Sequence, residues 1–92
     1  MRIYVCPNID DQGRIQLFGW VKPKERWRFY IDDASPEVLR MEKVEEDSPG
    51  LVNTVDEKGR IIIPAYFRKR CGFTNSVDFG TDNGELVLKK PI

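Results

Sequence analysis

The sequence is poor in the side chains that metal binding and nucleophilic catalysis require. It has no histidine among 92 residues and only two cysteines, Cys6 and Cys71, which lie far apart. Without histidine these thiols cannot form a Cys/His zinc site or a Cys–His nucleophile pair. There is also no glycine-rich phosphate loop, and the neighbouring Asp32 and Asp33 are typical of a turn. We therefore expect no enzyme, no catalytic residue, no metal and no cofactor, and interpret both cysteines as small, buried hydrophobic side chains.

Long apolar runs and an excess of one charge are also lacking. No run approaches the ~18 residues of a membrane span, and residues 1–7 have neither the basic nor the apolar region of a signal peptide. This predicts a cytoplasmic protein. Fifteen basic residues balance fifteen acidic ones, which argues against non-specific coating of nucleic acid. The part from residue 56 onwards is nonetheless mildly basic.

What the sequence does contain is an internal repeat. Residues 10–17 (DDQGRIQL) match residues 56–63 (DEKGRIII), 46 positions later, in the order acid, acid, polar, Gly, Arg, Ile, variable, aliphatic. Further pairs at this offset are Trp20 and Tyr66, Val21 and Phe67, Lys22 and Arg68, Lys24 and Arg70, and Trp27 and Phe73. The sequence thus predicts a degenerate first repeat over 1–44, an acidic linker over 45–51 and a second repeat over 52–92.

The second repeat has clear local signals. A turn with Gly59 at a positive φ separates Val52 and Val55 from the β-branched run 60–63, which predicts a tight hairpin. Pro64 and Gly72 suit the two ends of a helix of about two turns. On that helix, Phe67 and Cys71 are expected to face the core and residues 68–70 the solvent. Asn83 and Gly84 predict a two-residue turn between alternating strands.

The first repeat has the same outline with weaker signals. Phe18 replaces the proline and Pro23 interrupts the helix, which should be short or distorted. Trp27, Phe29 and Ile31 alternate along the strand that follows. A unit of roughly 40 residues cannot bury enough apolar surface alone. Each repeat therefore needs a partner copy, which the other repeat can supply in one compact pseudo-two-fold barrel.

Several of these motifs occur together in one known family. Residues 55–64 (VDEKGRIIIP), the helix segment 67–72 and the closing strand 84–90 (GELVLKK) make the chain resemble the AbrB/SpoVT/MazE-like superfamily. The tandem arrangement is similar to that of MraZ-like proteins. The resemblance implies a mostly β swapped-hairpin barrel with short helices, usually a homodimer, that presents arginines to double-stranded DNA. A closed pseudo-dimeric monomer is the alternative.

The resemblance also implies which residues contact DNA. The positions carried over are Arg60, Arg68 and Lys69, which the repeat and the adjacent basic residues extend to Arg14, Lys22, Lys24 and Arg70. We expect a transcriptional regulator with an asymmetric contact surface led by the first three. One departure weakens DNA binding, because Asn53 stands where AbrB itself has a further arginine.

Two other interpretations stay open. In the first, the strand arginines only form ion pairs with the acid at the start of their own turn, Arg14 with Asp10 and Arg60 with Asp56. In the second, the chain is a protein-interaction module, antitoxin-like or a scaffold subunit, that has lost DNA binding. Its partner would be a toxin or another protein.

Overall fold

A computed structural model describes residues 2–5, 7–17, 19–45 and 49–91. Within these ranges the chain is mostly β-structure, as predicted, with one short helix. The elements are β1 (Arg2–Val5), β2 (Arg14–Gln16), β3 (Arg26–Ile31), β4 (Val38–Val44), β5 (Leu51–Thr54), β6 (Arg60–Ile62), α1 (Ala65–Cys71), β7 (Asp78–Asp82) and β8 (Glu85–Lys89). The predictions made for Cys6 and Phe18 lie outside the described residues.

Six strands form a large antiparallel sheet in the order β1-β7-β8-β4-β3-β5. β7 and β8 are joined by the predicted turn, where Asn83 and Gly84 have positive φ angles of 52° and 83°, as this hairpin turn requires. Between β3 and β4, the Asp32 carboxylate accepts a hydrogen bond from the Ala34 N–H at 2.8 Å. The two hairpins, one from each half of the chain, pair along β4 and β8 in the middle of the sheet.

The remaining two strands form a separate ribbon. β2 and β6 pair antiparallel, with Ile15 directly opposite Ile61. Both isoleucines are buried in the same hydrophobic cluster as Leu39 and Met41 of the large sheet. One face of the ribbon therefore covers the core, and alternation along its strands turns the other face outward.

The helix forms where the sequence predicts it, from Ala65 to Cys71. Pro64 precedes it, and Gly72, at φ 71°, ends it in the left-handed conformation. Phe67 and Cys71 are buried, as expected from their spacing of one turn. Cys71 is thus a small, buried core side chain, as predicted, and burial raises the pKa of its thiol.

The tight hairpin predicted between residues 52 and 63 is wrong. Its turn closes, with hydrogen bonds from the Asp56 N–H to the Arg60 carbonyl (2.8 Å) and from the Gly59 N–H to the Asp56 carbonyl (3.1 Å). The strands on either side then diverge, because β5 pairs with β3 and β6 pairs with β2. Ile62 is 45% exposed rather than buried.

Three further expectations need correction. In the first repeat, residues 19–25 form turns rather than a short helix, with Lys24 at φ 72°. Leu51 belongs to β5 rather than to the linker predicted over 45–51. The two sheets do not close into a barrel.

No helix in the described ranges has the length and apolar character that a membrane crossing needs.

Candidate nucleic-acid interface

Two turns of the same construction each hold one of the strand arginines. Asp10 accepts hydrogen bonds from the backbone N–H of Arg14 (2.8 Å) and from its Nε (2.6 Å). Asp56 accepts the equivalent pair from Arg60, at 2.9 and 2.8 Å. The ion pairs considered from the sequence therefore form at both positions. Each carboxylate fixes the direction in which its guanidinium leaves the strand.

Both arginines lie on the outward face of the ribbon. Arg14 is opposite Ile62 and Arg60 is opposite Gln16, so that the two arginines are diagonal neighbours across the strands, a relation that places residues roughly 7–8 Å apart. The Gln16 side chain donates to the carbonyl of Lys58 in the second turn at 2.6 Å. The ribbon thus carries one arginine near each end, with a turn beyond each of them.

The carboxylates of these turns are held in their charged form. The backbone N–H of Arg14 is the largest influence that lowers the pKa of Asp10, and the Arg14 guanidinium adds to it against an opposing effect of burial. The pKa of Asp56 is lowered by the corresponding groups of Arg60. The guanidinium has five N–H donors, and the contact with aspartate uses only the one on Nε. Among the described residues, neither guanidinium has a second side-chain partner.

The basic residues of α1 divide into two kinds. Lys69 and Arg70 are exposed, as predicted. Arg68 is half-buried, because its Nε donates to the Ile63 carbonyl at 3.0 Å and its guanidinium lies against the first turn, 2.5 Å from where a Cβ on Gly13 would stand. The expectation that Arg68 points outward is therefore wrong. It ties the helix of the second repeat to the turn of the first.

Lys22 and Lys24 occupy the turns of residues 19–25 and are both exposed. The Lys24 N–H donates to the Val55 carbonyl at 2.9 Å, and the Val55 N–H donates to the Glu25 carbonyl at 2.8 Å. This segment of the first repeat therefore borders the turn of the second repeat. Of the seven predicted DNA-contact residues, Arg14 and Arg60 lie on the ribbon itself. The other five lie on its two flanks, with Arg68 turned towards the first turn.

A second polar cluster, which the sequence did not reveal, surrounds Arg40 on the large sheet. Its guanidinium contacts Asp32 and Asp82 at 2.6 Å each and Glu85 at 3.2 Å. The Tyr30 hydroxyl donates to Glu85, and partial burial, followed by this carboxylate, raises the pKa of Tyr30 to about 12. Hydrogen bonding to Asp82 and Asp32 raises the pKa of Arg40. No sequence signal was available, because the acids come from three separate turns and strands.

The Arg40 cluster and the ribbon arginines lie on opposite sides of the core. Arg40 stands between the buried Leu39 and Met41 on β4, so its side chain leaves the sheet on the face away from the core. The cluster lines an open groove of about 410 Å³ that also includes Asp33 and Asn83. Acids outnumber bases in this groove.

The likeness of the chain to known proteins was tested in three ways. Comparisons with protein-family models, with curated proteins and with solved structures found no match to this chain.

Proposed function

We propose that this chain is a transcriptional regulator of the AbrB-like type that binds double-stranded DNA through the outward face of the β2–β6 ribbon. The observation that carries the proposal is the pair of arginines, Arg14 and Arg60, held by identical aspartate contacts in two equivalent turns. A buried core supports the ribbon from behind through Ile15 and Ile61. Rigid placement of this kind is what recognition of a fixed phosphate or base geometry requires.

The strand pairing supports an origin from two repeats that exchange strands. At the centre of the ribbon, Ile15 pairs with Ile61, its own equivalent 46 positions later. At the centre of the large sheet, Arg40 pairs with Val87, 47 positions later. The offset is one residue longer in this part of the repeat, where Leu39 and Met41 correspond to Leu86 and Leu88. β1 pairs with β7 of the other repeat, and β5 pairs with β3. A pseudo-two-fold axis through both central pairs accounts for this pattern.

The shape of the ribbon suits the major groove of DNA. That groove is about 12 Å wide and admits a two-stranded β-ribbon. Arginine at such a site binds phosphate through its paired N–H groups, or guanine through O6 and N7. Lys22, Lys24, Lys69 and Arg70 are exposed on the flanks, where they can neutralise phosphates. In this orientation the acidic groove around Arg40 would face away from the DNA phosphates.

The strand pairs that join the two repeats all form within one chain. Both β1–β7 and β5–β3 are intramolecular, so a second chain is not needed to supply the partner copy. We therefore favour the closed pseudo-dimeric monomer over the homodimer that the resemblance implies.

DNA binding can be measured by fluorescence anisotropy over a salt series. If about four to eight phosphates are contacted, the logarithmic salt slope should be roughly −4 to −7. Arg14→Ala combined with Arg60→Ala should weaken binding by roughly tenfold or more. The matched control is Arg26→Ala with Lys89→Ala, which removes the same charge from the outer face of the large sheet. A slope near zero, or equal losses in the two double variants, contradicts the proposal.

The protein-interaction module is the second candidate, favoured by exposed apolar side chains near the ribbon. Ile62 is 45% exposed and Tyr66 is 63% exposed. Ile62 lies beside Arg14 on the outward face. If the salt series shows no DNA binding and a pull-down from host cells recovers a stoichiometric protein partner that Ile62→Ser releases, this candidate replaces the first.

A further inference from the structure

The two halves of the ribbon differ in what flanks them. Each half has the same Asp–Arg turn, and the two glycines of these turns, Gly13 and Gly59, have φ angles of 81° and 80°. Beside the first turn lies α1, a regular helix of the second repeat. Beside the second turn lies the irregular segment 19–25 of the first repeat. Because strands are exchanged, each flank comes from the other repeat.

The two flanks are attached to their turns by different contacts. The Ile63 N–H donates to the Gly13 carbonyl at 2.9 Å, and Arg68 bridges from the Ile63 carbonyl to the surface of that glycine. At Gly59, no atom of the described residues lies within 4 Å of the equivalent Cβ position. Arg68 therefore ties the backbone of α1, which carries Lys69 and Arg70, to the first turn. The segment that carries Lys22 and Lys24 is instead tied beside the second turn by backbone hydrogen bonds of Val55 with Lys24 and Glu25.

The exposed cations of the two flanks also stand at different positions. Lys69 and Arg70 are adjacent on α1. In the first repeat the position equivalent to Lys69 is Pro23, and the exposed cations are Lys22 and Lys24. Both flanks carry two exposed cations, but a helix presents one pair and a turn with a left-handed lysine presents the other. The two flanks therefore carry their exposed cations on different backbone conformations.

From these differences we infer that the chain binds, as a monomer, a non-palindromic DNA site whose two halves are contacted unequally. The inference rests on the proposed function. Dimeric regulators bind palindromic operators because the symmetry of the site mirrors that of the protein. In this chain the two Asp–Arg turns obey the pseudo-two-fold symmetry. The two flanks, α1 and segment 19–25, do not. The two halves should therefore be bound with different affinities, because a helix presents the exposed cations of one flank and a turn presents those of the other.

The test begins by selecting bound sequences from a random duplex pool, once anisotropy has shown that the wild-type protein binds duplex DNA. We expect a consensus without an inverted repeat and one chain per site. Two symmetrised duplexes, each built from one half of the consensus and its inverted copy, should differ in affinity by roughly fivefold or more. An inverted-repeat consensus, or equal affinity for the two symmetrised duplexes, overturns the inference.

Footprinting of the DNA site with variants of each flank shows which flank contacts which half of the site. Lys69→Ala with Arg70→Ala should remove protection at one end of the site, and Lys22→Ala with Lys24→Ala should remove it at the other end. The two variants lose the same charge, so each is the matched control for the other. Loss of protection at the same end in both variants overturns the inference. Failure of the wild-type protein to bind any duplex is a different result, which refutes the proposed function itself and this inference with it.

Discussion

At Gly13 and Gly59 the same backbone conformation occurs in two different surroundings. Both residues close an Asp–Arg turn with φ near 80°, and both turns make the same backbone hydrogen bonds. Only Gly13 is covered by the guanidinium of Arg68. The chain thus offers two matched turns that differ in their long-range contacts, chiefly in the Arg68 side chain over Gly13.

Alanine at these two positions should therefore have unequal effects on stability. Each substitution places a side chain at a left-handed φ, which costs roughly 1–2 kcal/mol. Gly13→Ala should cost about 0.5–1.5 kcal/mol more, because the new Cβ displaces Arg68 and breaks its hydrogen bond to Ile63. Denaturant unfolding measures both values. In an Arg68→Ala background the difference should vanish, and its persistence there would show that the Arg68 contact is not its cause.

Asp32 makes stability depend on pH through the Arg40 cluster. The Arg40 guanidinium, with the Ala34 N–H next, lowers the pKa of Asp32 below its ordinary value of 3.8. A lowered folded-state pKa stabilises the fold above the unfolded-state value and loses that effect as the pH falls through the folded-state value. The Tm of the wild type should therefore exceed that of Asp32→Asn most at about pH 6, and the gap should shrink towards about pH 2.

Thermal unfolding followed by circular dichroism over this pH range checks the prediction. Asp33→Asn is the control, because Asp33 is the exposed neighbour of Asp32 in the same turn. A gap for Asp32→Asn that does not change with pH would show that the ion pair with Arg40 does not contribute.

Among the elements, α1 shows how local signals suffice for a short helix. The Gly72 N–H donates to the Lys69 carbonyl and the Phe73 N–H donates to the Arg68 carbonyl, at 3.3 and 2.9 Å. This is the Schellman arrangement, in which a left-handed residue lets the chain turn back over the last carbonyls. Phe73 is buried directly after it. The ends of α1 are therefore encoded within a few residues.

Replacing Gly72 should destabilise this end of the helix. Gly72→Ala is expected to lower the free energy of unfolding by about 1–2 kcal/mol, since φ is 71° and alanine is strained there. Gly72→Asn should cost less, because asparagine tolerates the left-handed conformation. The nearest atom to the new Cβ is Lys90 Cδ at 3.7 Å, which is ordinary contact. Equal losses in both variants would indicate crowding rather than backbone strain.

For the whole molecule, the intramolecular exchange of β1 and β5 predicts a monomer. Light scattering should give the mass of one chain over a wide concentration range, and Tm should not depend on concentration, because no partner chain contributes to folding. A dimeric mass, or a Tm that rises with concentration, would show that the hairpins are exchanged between chains instead.

Local sequence patterns predicted many of the secondary-structure elements of this fold, but they did not predict much of the candidate site. The turn at Asn83 and Gly84, the helix after Pro64 and the alternating strand containing Trp27 and Phe29 all form as predicted. The pairing of β5 with β3 was missed, because a turn signal does not specify whether its own strands pair with each other. The acids around Arg40 were missed because they are distant in sequence.

The sequence by itself determined the local conformations and the repeat. Three features act within a few residues, so their effects can be predicted from the sequence. They are the glycine in each of the two turns, the proline and glycine at the ends of α1, and the acid four residues before each strand arginine. Only the tertiary structure decided that Arg68 turns inward over Gly13 and that each flank borders the other repeat's turn. Those contacts depend on which strands bury their apolar faces together, a choice made by the packing of the whole core.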